Sequence, residues 1–537
     1  MGYAQDYAAA IMRRGRVPME PVDFVPDWGD RPRKTKFYPG TESLPLPDPD
    51  YPAGATVAAG CRGEVEPGAE TPFTLDALSG MLRDSLGLVG RRLGVQTNTD
   101  LGALPHYPQA NWSRGTASGG GLYPVSVYWV SGSGGPRPPG VHYYSAPHHA
   151  MRRLLTGDVT GEVRAALGED APDADSGQYL VLGIKYWQNA FKYNSFSFHA
   201  VSMDLGAVLA TWRLWARARG LSVRPALWFD EPRLCRLLGL RDEEEGLFAV
   251  VPLRWDGARP AAPPTPTAAV RHRDVERSRE VLRFETLERI HAATVAGATD
   301  RPAPGALAPA AAPPAAGRGP AVALPSAEPP PVSVRRALRE RRSSFGRFDA
   351  SHPVSAAALS ATLGACAAVS LGSDAERPAP AEEPDPAAGS GLVTLYAFVN
   401  HVEGVEPGAY AFDPAAGALR RVVPGAPGPF LQRNYFLSNY NLEQAGVVLV
   451  PTIRTAAVLD AVGDRGYRLV NATVGAVAQT FYTVAAALGL GAGVALGFDN
   501  VSYVEELGLE PTGEQPLLIM MLGQERPRPA DFRYEIA

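Results

Sequence analysis

The chain has 537 residues, more than one ordinary hydrophobic core accommodates, so two or more domains are expected. Its 51 basic and 56 acidic residues give a formal net charge of −5, which excludes the basic footprint of a nucleic-acid-binding protein. Cys61, Cys235 and Cys366 are far apart, which argues against a disulfide framework and a metal site. The first residues resemble no signal peptide, and no apolar run approaches the ~20 residues of a membrane span. We therefore expect a cytoplasmic protein without membrane contact.

Composition divides the chain into four parts. Its beginning is rich in proline, aspartate and glycine, which predicts an extended arm. Residues 272–295 combine helical spacing with strong charge and predict a solvent-facing amphipathic helix. Residues 302–331 are mostly Ala, Pro and Gly and predict a disordered or extended linker. Strand and helix patterns are mixed elsewhere, so the predicted fold class is α+β. The predicted parts are an arm (1–70), a first domain (71–257), a helix with a linker (258–333) and a second domain (334–537).

An internal duplication relates the two domains. Residues 198–240 align without a gap on 467–509, at a constant offset of 269 residues that places Gly206 on Gly475. The sequence therefore predicts two copies of one fold, each built around the same long helix, strand and second short helix.

The two copies have diverged in complementary ways. The second copy has Ala461-Val462 at the position that Lys192-Tyr193 occupies in the first copy. The first copy keeps Ser118, Gly119, Gly120, Lys192 and Tyr193. The second copy keeps Arg341, Arg342, Ser343, Ser344 and the triplet Gly489, Leu490 and Gly491, of which the first copy has only Gly220-Leu221. Complementary loss predicts one working site shared between the two halves.

The motifs of the second copy suit a phosphate and a flat ligand. Two guanidinium groups and two hydroxyls at Arg341–Ser344 could bind a phosphate, because arginine contacts it through two parallel hydrogen bonds. The surrounding stretch favours a helix, so a solvated charged helix face is the alternative. Three glycines within Gly489–Gly493 would let backbone N–H groups approach a ligand closely, but a helix cap followed by a turn explains them equally well.

Lys192-Tyr193 is a candidate acid/base pair in the first copy. Lysine serves as a base near neutral pH only where burial or a neighbouring cation lowers its pKa. The alternative is a pair of surface residues beside a helix start. Lys185-Tyr186, seven residues earlier, shows how readily this dipeptide occurs.

Together these motifs resemble the nitroreductase fold, and more closely the SagB/McbC-type azoline dehydrogenases of pathways that make thiazole- and oxazole-containing peptides. In that family an Arg-Arg-Ser helix, a Ser-Gly-Gly-x-Leu-Tyr-Pro loop, a Lys-Tyr before the central helix and a Gly-Leu-Gly turn recur. The loop matches SGGGLYP at 118–124, and the arm segment 24–47 is also similar to that of these dehydrogenases. The resemblance covers most of the chain except the linker at 302–331.

The resemblance implies FMN bound between the two copies of an intrachain pseudo-dimer, with one competent site and one dead site. Arg526 or Arg528 would be candidates for further contacts to the FMN phosphate. The residues implied to hold FMN are Arg341, Arg342, Ser343, Gly489, Leu490 and Gly491 from the second copy, and Ser118, Gly119 and Gly120 from the first.

The activity implied by the resemblance is oxidation of thiazoline or oxazoline rings in a ribosomally made precursor peptide to thiazoles or oxazoles. Lys192 would be the base, Tyr193 would relay or position the proton, and hydride would pass to flavin N5. A cyclodehydratase of the same pathway is the expected partner, and the protein would be a monomeric pseudo-dimer or a higher homo-oligomer. The alternatives are an NAD(P)H-dependent nitro- or quinone reductase and a catalytically dead scaffold of a peptide-modifying complex.

Overall fold

The computed structural model describes residues 2–63, 65, 68–93, 110–257, 259–315, 319–379, 391–527 and 533–535. Its helices are α1 Tyr3–Arg13, α2 Val57–Cys61, α3 Leu75–Ser85, α4 Thr160–Leu167, α5 Trp187–Tyr193, α6 Ser197–Arg217, α7 Glu231–Leu238, α8 Glu285–Ala296, α9 Val334–Glu340, α10 Ala356–Ala367, α11 Gly428–Arg433, α12 Thr455–Val462, α13 Gly466–Ala487 and α14 Asn500–Leu507. Its strands are β1 Glu42–Pro45, β2 Gly90–Leu93, β3 Ala110–Ser113, β4 Val125–Ser131, β5 Gly140–Ser145, β6 Ala150–Thr156, β7 Gln178–Lys185, β8 Glu245–Pro252, β9 Ala321–Ala323, β10 Val393–Val399, β11 Gly408–Asp413, β12 Ala418–Pro424, β13 Val447–Ile453, β14 Gly491–Ala495, β15 Gln515–Pro516, β16 Ile519–Gly523 and β17 Arg533–Glu535.

The two large sheets repeat one antiparallel strand order. The first runs β1-β6-β5-β4-β7-β8, and the second contains β9-β12-β11-β10-β13-β16 in the corresponding places. The second sheet also carries β14, which pairs with β16, and β15, which pairs with β13. Strands β17, β2 and β3 form a small third sheet. The predicted α+β class and tandem arrangement are confirmed.

Helices α6 and α13 cross at the centre of the molecule through two glycines. A Cβ atom at Gly206 would lie 1.8 Å from the Ala472 carbonyl oxygen, and one at Gly475 would lie 2.0 Å from the Met203 carbonyl oxygen. Both glycines and both carbonyl residues are related by the offset of 269, so the contact is reciprocal, as in the interface of a symmetric dimer. The predicted intrachain pseudo-dimer is therefore built on this helix pair.

Helix α13 is long and apolar enough to cross a membrane by length and composition, although no long apolar run stands out in the sequence. However, 94% of its most apolar window is buried inside the protein. It is buried on nearly all sides because the sheet of the second copy and α6 of the first both pack against it.

The arm begins with a helix, which corrects the prediction of an extended segment throughout 1–70. Helix α1 buries Ala4, Tyr7, Ala8 and Ile11 on one face, and the Tyr7 hydroxyl donates a hydrogen bond of 2.7 Å to the Ser195 carbonyl. These positions follow the i, i+3, i+4, i+7 spacing of an amphipathic helix, a signal that the bulk composition of the arm concealed.

The predicted amphipathic helix at 272–295 is shorter than expected, since α8 begins only at Glu285. The charged residues before it make tertiary ion pairs instead of a solvated helix face. Lys185 Nζ lies 2.5 Å from Asp274 and 2.6 Å from Glu276. The backbone N–H of Arg279 donates to the Asp30 carboxylate of the arm. Charge in this segment therefore fastens the arm to the first copy.

Two further expectations need correction. Helix α9 ends at Glu340, so Arg341–Ser344 follow the helix rather than lie in it. The Ala/Pro-rich linker is extended in part, as predicted, but it is not free of the fold, because β9 pairs with β12 at the edge of the second sheet.

Candidate functional site

A cavity of about 2040 Å³ opens between the two copies and the arm. Ser118–Tyr123, Lys192 and Tyr193 line it from the first copy, and Arg341–Phe345 line it from the second. Trp28 and other arm residues form part of its wall. The fold therefore brings together Ser118 and Arg341, which are 223 residues apart in sequence (341 − 118), and we call this space the shared cavity.

The Ser-Gly-Gly loop of the first copy is fixed by a buried carboxylate. The Ser118 hydroxyl donates to Asp204 Oδ2 at 2.6 Å, and the Gly119 N–H donates to Asp204 Oδ1 at 2.8 Å. The Ser118 hydroxyl oxygen also accepts from the Tyr123 N–H at 2.8 Å. Burial raises the pKa of Asp204 to about 7, although the hydrogen bonds that Asp204 accepts from Ser118 and Gly119 oppose the rise. Asp204 lines the cavity on α6 and was not singled out from the sequence.

Lys192 and Tyr193 form the end of α5 and lie directly against the loop. Gly120 adopts a φ of +62°, and a Cβ there would lie 2.7 Å from the Tyr193 hydroxyl and 2.9 Å from Lys192 Nζ. Only glycine leaves this space open and tolerates this backbone conformation without strain. Gly120 and the Lys-Tyr pair are therefore in direct contact. The sequence could not establish this contact because Gly120 and Lys192 are 72 residues apart (192 − 120).

The arm covers Lys192 from the other side. Lys192 Nζ lies 5.8 Å from the centroid of the Trp28 ring and 4.7 Å from that of Tyr193. The Trp28 ring meets Phe191 edge-on at 5.3 Å. A half-exposed tryptophan thus stands over the lysine at the cavity wall.

The Arg-Arg-Ser segment reaches the cavity from the second copy. The Arg341 guanidinium donates to the carbonyl oxygens of Gly115 at 2.8 Å and Arg114 at 3.1 Å, across the boundary between the copies. Arg342 pairs with Glu525, and the Ser343 hydroxyl shares a hydrogen bond of 2.8 Å with the Tyr482 hydroxyl.

The Gly-Leu-Gly segment does not line the cavity but lies behind it, since a Cβ at Gly491 would lie 2.9 Å from Ser344 Oγ. Gly489, with φ of +72°, caps α13, and Gly491 already belongs to β14. Neither of them, nor Leu490, is among the described residues that line the cavity; the continuation of the same chain, Val494–Gly497, lines it instead. Leu496 and Gly497 precede Phe498-Asp499, which the duplication aligns with Phe229-Asp230. That shared dipeptide was the available signal for them.

Neither C-terminal arginine candidate is placed in the cavity. Arg526 donates to the Gly346 carbonyl at 2.8 Å and is not among the described lining residues. Arg528 lies outside the described residues.

The position that corresponds to Leu496 and Gly497 in the first copy is filled. Leu227 and Trp228 stand there at the offset of 269. Their N–H groups donate to the carboxylate of Asp374 at 2.8 and 3.2 Å, and Arg301 Nε pairs with the same carboxylate at 3.0 Å. The Asp374 side chain is 1% exposed. A buried ion pair thus occupies one half of the pseudo-dimer where the other half has the shared cavity.

Comparison with known proteins gives matches to nitroreductases. Residues 388–524 match the model of the nitroreductase family. A protein of Methanocaldococcus jannaschii that is provisionally named a nitroreductase is 32% identical over 131 residues. That match covers 24% of this chain and 64% of the relative, so the chain spans less than two thirds of its length.

Two solved structures illustrate the range of structural similarity. A provisionally named nitroreductase from Anabaena variabilis matches 98% of this chain and 100% of its own at 21% identity, with a TM-score of 0.70. The E. coli microcin synthetase McbBCD complex with truncated pro-MccB17 matches 35% of this chain and 70% of its own at 21% identity, with a TM-score of 0.29. The second similarity is too small to carry an argument, whereas the first establishes a shared fold along nearly the whole chain. The chain therefore shares the fold of the Anabaena variabilis protein along nearly its whole length, and its residues 388–524 match the nitroreductase family model.

Proposed function

We propose that the protein is an FMN-dependent oxidase of thiazoline or oxazoline rings in a ribosomally made precursor peptide. The observation that carries the proposal is the meeting of the Ser-Gly-Gly loop, Lys192-Tyr193 and Arg341–Ser343 around one cavity. These are the motifs by which the sequence resembles azoline dehydrogenases. A cyclodehydratase that makes the azoline rings remains the expected partner.

The residues around the cavity fit FMN. Arg341, Arg342 and Ser343 supply two guanidinium groups and a hydroxyl suited to its phosphate. Ser118 and Gly119, fixed by Asp204, and Gly120, which has no Cβ, allow a flat ring to approach the backbone. The cavity exceeds the roughly 300–1,000 Å³ of ordinary ligand pockets, which leaves room for a peptide beside the cofactor. Bound FMN would supply the hydride acceptor.

The remaining chemistry falls to the first copy. Lys192 Nζ removes the ring proton, and Tyr193, whose hydroxyl faces the same position above Gly120, holds or relays it. Trp28 and Phe191 shield this corner of the cavity from water. Asp204 fixes the Ser-Gly-Gly loop beside Lys192.

We further propose a single FMN per chain. The first copy lacks an Arg-Arg-Ser segment. Its Leu227 and Trp228, which correspond to Leu496 and Gly497, are covered by the buried Asp374–Arg301 pair. This arrangement supports the predicted dead second site.

The match to the nitroreductase family favours a second candidate, an NAD(P)H-dependent nitro- or quinone reductase that uses the same cavity. Rapid bleaching of the flavin by NAD(P)H alone would support this candidate. Bleaching by an azoline peptide, without NAD(P)H, would support the ring oxidase.

The first experiment measures FMN released per chain on denaturation, and then loss of two hydrogens from an azoline peptide by mass spectrometry. We expect about one FMN per chain and a product lighter by two hydrogens. Two FMN per chain would contradict the filled second site. Absence of FMN after reconstitution would remove both enzyme candidates.

A further inference from the structure

Most of the charged side chains that line the shared cavity are cationic, although the whole chain carries a net charge of −5. Asp204 is the one carboxylate among the described residues that line it. The cations that line it are Arg14, Arg31, Arg33, Lys34, Arg83, Arg114, Lys192, Arg277, Arg341, Arg342 and Arg347. The phosphate of FMN needs only the arginines that follow α9, so most of this charge has no role in the function proposed above.

Three of these cations gather where the arm meets Lys192. Arg114 Cζ lies 4.3 Å from the centroid of the Tyr123 ring, and Lys34 Nζ lies 5.7 Å from the same centroid. The Arg114 guanidinium also donates to the Lys34 carbonyl at 3.1 Å. Desolvation, followed by repulsion from Arg114, Arg31 and Lys192, lowers the pKa of Lys34 to about 8. We call Arg31, Lys34 and Arg114 the cation cluster; Lys192, the proposed base, lies beside it.

Arg114, the buried member of the cation cluster, differs from other buried cations of the described residues. Lys36 pairs with Glu245, Lys185 pairs with Asp274, and Arg468 pairs with Glu231 at 2.8 Å. By contrast, no carboxylate of the described residues lies within ion-pair distance of Arg114, which is 5% exposed and lies over the Tyr123 ring. A buried charge without a partner is costly, and an anionic ligand would compensate it.

Exposed apolar side chains also line the cavity. Trp28, beside Lys192, is 50% exposed, and Phe436 and Leu437, which lie near Gly15 and Gly497, are 48% and 53% exposed. Apolar side chains next to unpaired cations suit an extended peptide that carries both apolar and acidic residues.

We propose that the cation cluster is a subsite for Asp or Glu side chains that flank the ring to be oxidised, so that the enzyme prefers an acidic peptide segment. This inference rests on the proposed ring oxidation for its substrate. Lys34 and Arg31, both on the arm, bind the carboxylates that flank the ring, and the buried Arg114 adds positive potential to the subsite. The subsite lies on the Lys192 side of the cavity, apart from Arg342, whose charge is already paired with Glu525.

The test compares two azoline peptides that differ only in their flanks, Asp and Glu in one and Asn and Gln in the other. We expect KM to be about tenfold lower for the acidic peptide, with kcat changed less than twofold. Lys34→Gln and Arg31→Gln should abolish this preference while FMN per chain stays constant. Arg236→Gln, an exposed arginine on α7 outside the cavity, removes the same charge and should keep the preference.

A second measurement separates this inference from the proposed function. Two fluorescently labelled linear peptides without azolines, one with Asp and Glu and one with Asn and Gln at the same positions, are titrated with the FMN-loaded protein. Binding is followed by fluorescence anisotropy. Tighter binding of the acidic peptide, lost in Lys34→Gln, supports the subsite even if no ring is oxidised. Equal KM values or equal affinities for the two peptides would overturn it while leaving ring oxidation intact. Displacement of both peptides alike by inorganic phosphate would assign the cluster to a simple anion and overturn it as well.

Discussion

The two halves of the pseudo-dimer use the same backbone position in opposite ways. In the second copy, Leu496 and Gly497 line the shared cavity, whereas the corresponding Leu227 and Trp228 bind the carboxylate of Asp374 through their N–H groups. In both halves an arginine donates to the carbonyl of the leucine, Arg14 to Leu496 and Arg465 to Leu227 at 2.6 Å. The same backbone position is thus open to the shared cavity in the second copy and bound to a buried protein carboxylate in the first.

This difference explains why the two copies could lose motifs separately. A site between two copies draws on both, so each of two equivalent sites requires a full set of motifs in each copy. Once one site is filled, the first copy needs only its loop and Lys-Tyr pair, and the second only its Arg-Arg-Ser segment. The released positions can then carry structural contacts such as the Asp374–Arg301 pair.

The largest effect is expected at Lys192, because the filled site offers no replacement. Lys192→Ala should lower kcat for azoline oxidation by about 10²–10⁴-fold, the usual contribution of a general base. Lys192→Arg retains the charge but not the basicity, and should be about as inactive. Stopped-flow reduction of the flavin by an azoline peptide measures both, with FMN content as the control. Turnover near the wild-type level in either variant would refute the assignment of the base.

The second prediction tests whether the filled site is structural. Asp374→Ala leaves the Arg301 charge buried without its carboxylate and should lower the free energy of unfolding by about 3–5 kcal/mol. Chemical denaturation at constant FMN measures the loss. FMN per chain should remain one, because no Arg-Arg-Ser segment faces this position. A second equivalent of FMN in the variant would show that Asp374 alone closes the second site, contrary to the comparison.

The third prediction uses adjacent glycines of the open site as a matched pair. Gly120 and Gly121 both have positive φ values, +62° and +65°, but a Cβ at Gly121 meets nothing within 4 Å. Ala at either position should cost about 1–2 kcal/mol of stability through backbone strain. Only Gly120→Ala displaces Lys192 and Tyr193, so it alone should reduce kcat by about 10²-fold. Equal losses of activity in the two variants would mean that backbone strain in the loop, not displacement of Lys192 and Tyr193, lowers kcat.

Much of this comparison could be predicted from the sequence, since the gapless alignment gave the duplication and the complementary motifs gave a shared site. Three features escaped prediction for physical reasons. Asp204 is an ordinary aspartate in a helix until the fold buries it beneath Ser118. Asp374 comes from a loop that has no counterpart in the alignment. The glycines after α13 suggested a ligand, but capping and strand pairing account for Gly489 and Gly491, and the cavity begins only at Val494.

The pH dependence of stability again separates the halves, because Asp204 corresponds to Thr473 in the second copy. Burial raises the pKa of Asp204 from 3.8 to about 7. Between pH 4 and 7 the folded protein therefore keeps a proton that the unfolded chain has lost, and stability falls as pH rises through this window. Asp204→Asn has no proton to lose, so the stability of the wild type relative to the variant should be greatest near pH 4 and lowest above about pH 7. Urea unfolding of both proteins at matched FMN content measures this difference. Parallel pH profiles would indicate that Asp204 stays ionised throughout, and that its hydrogen bonds to Ser118 and Gly119 outweigh its burial.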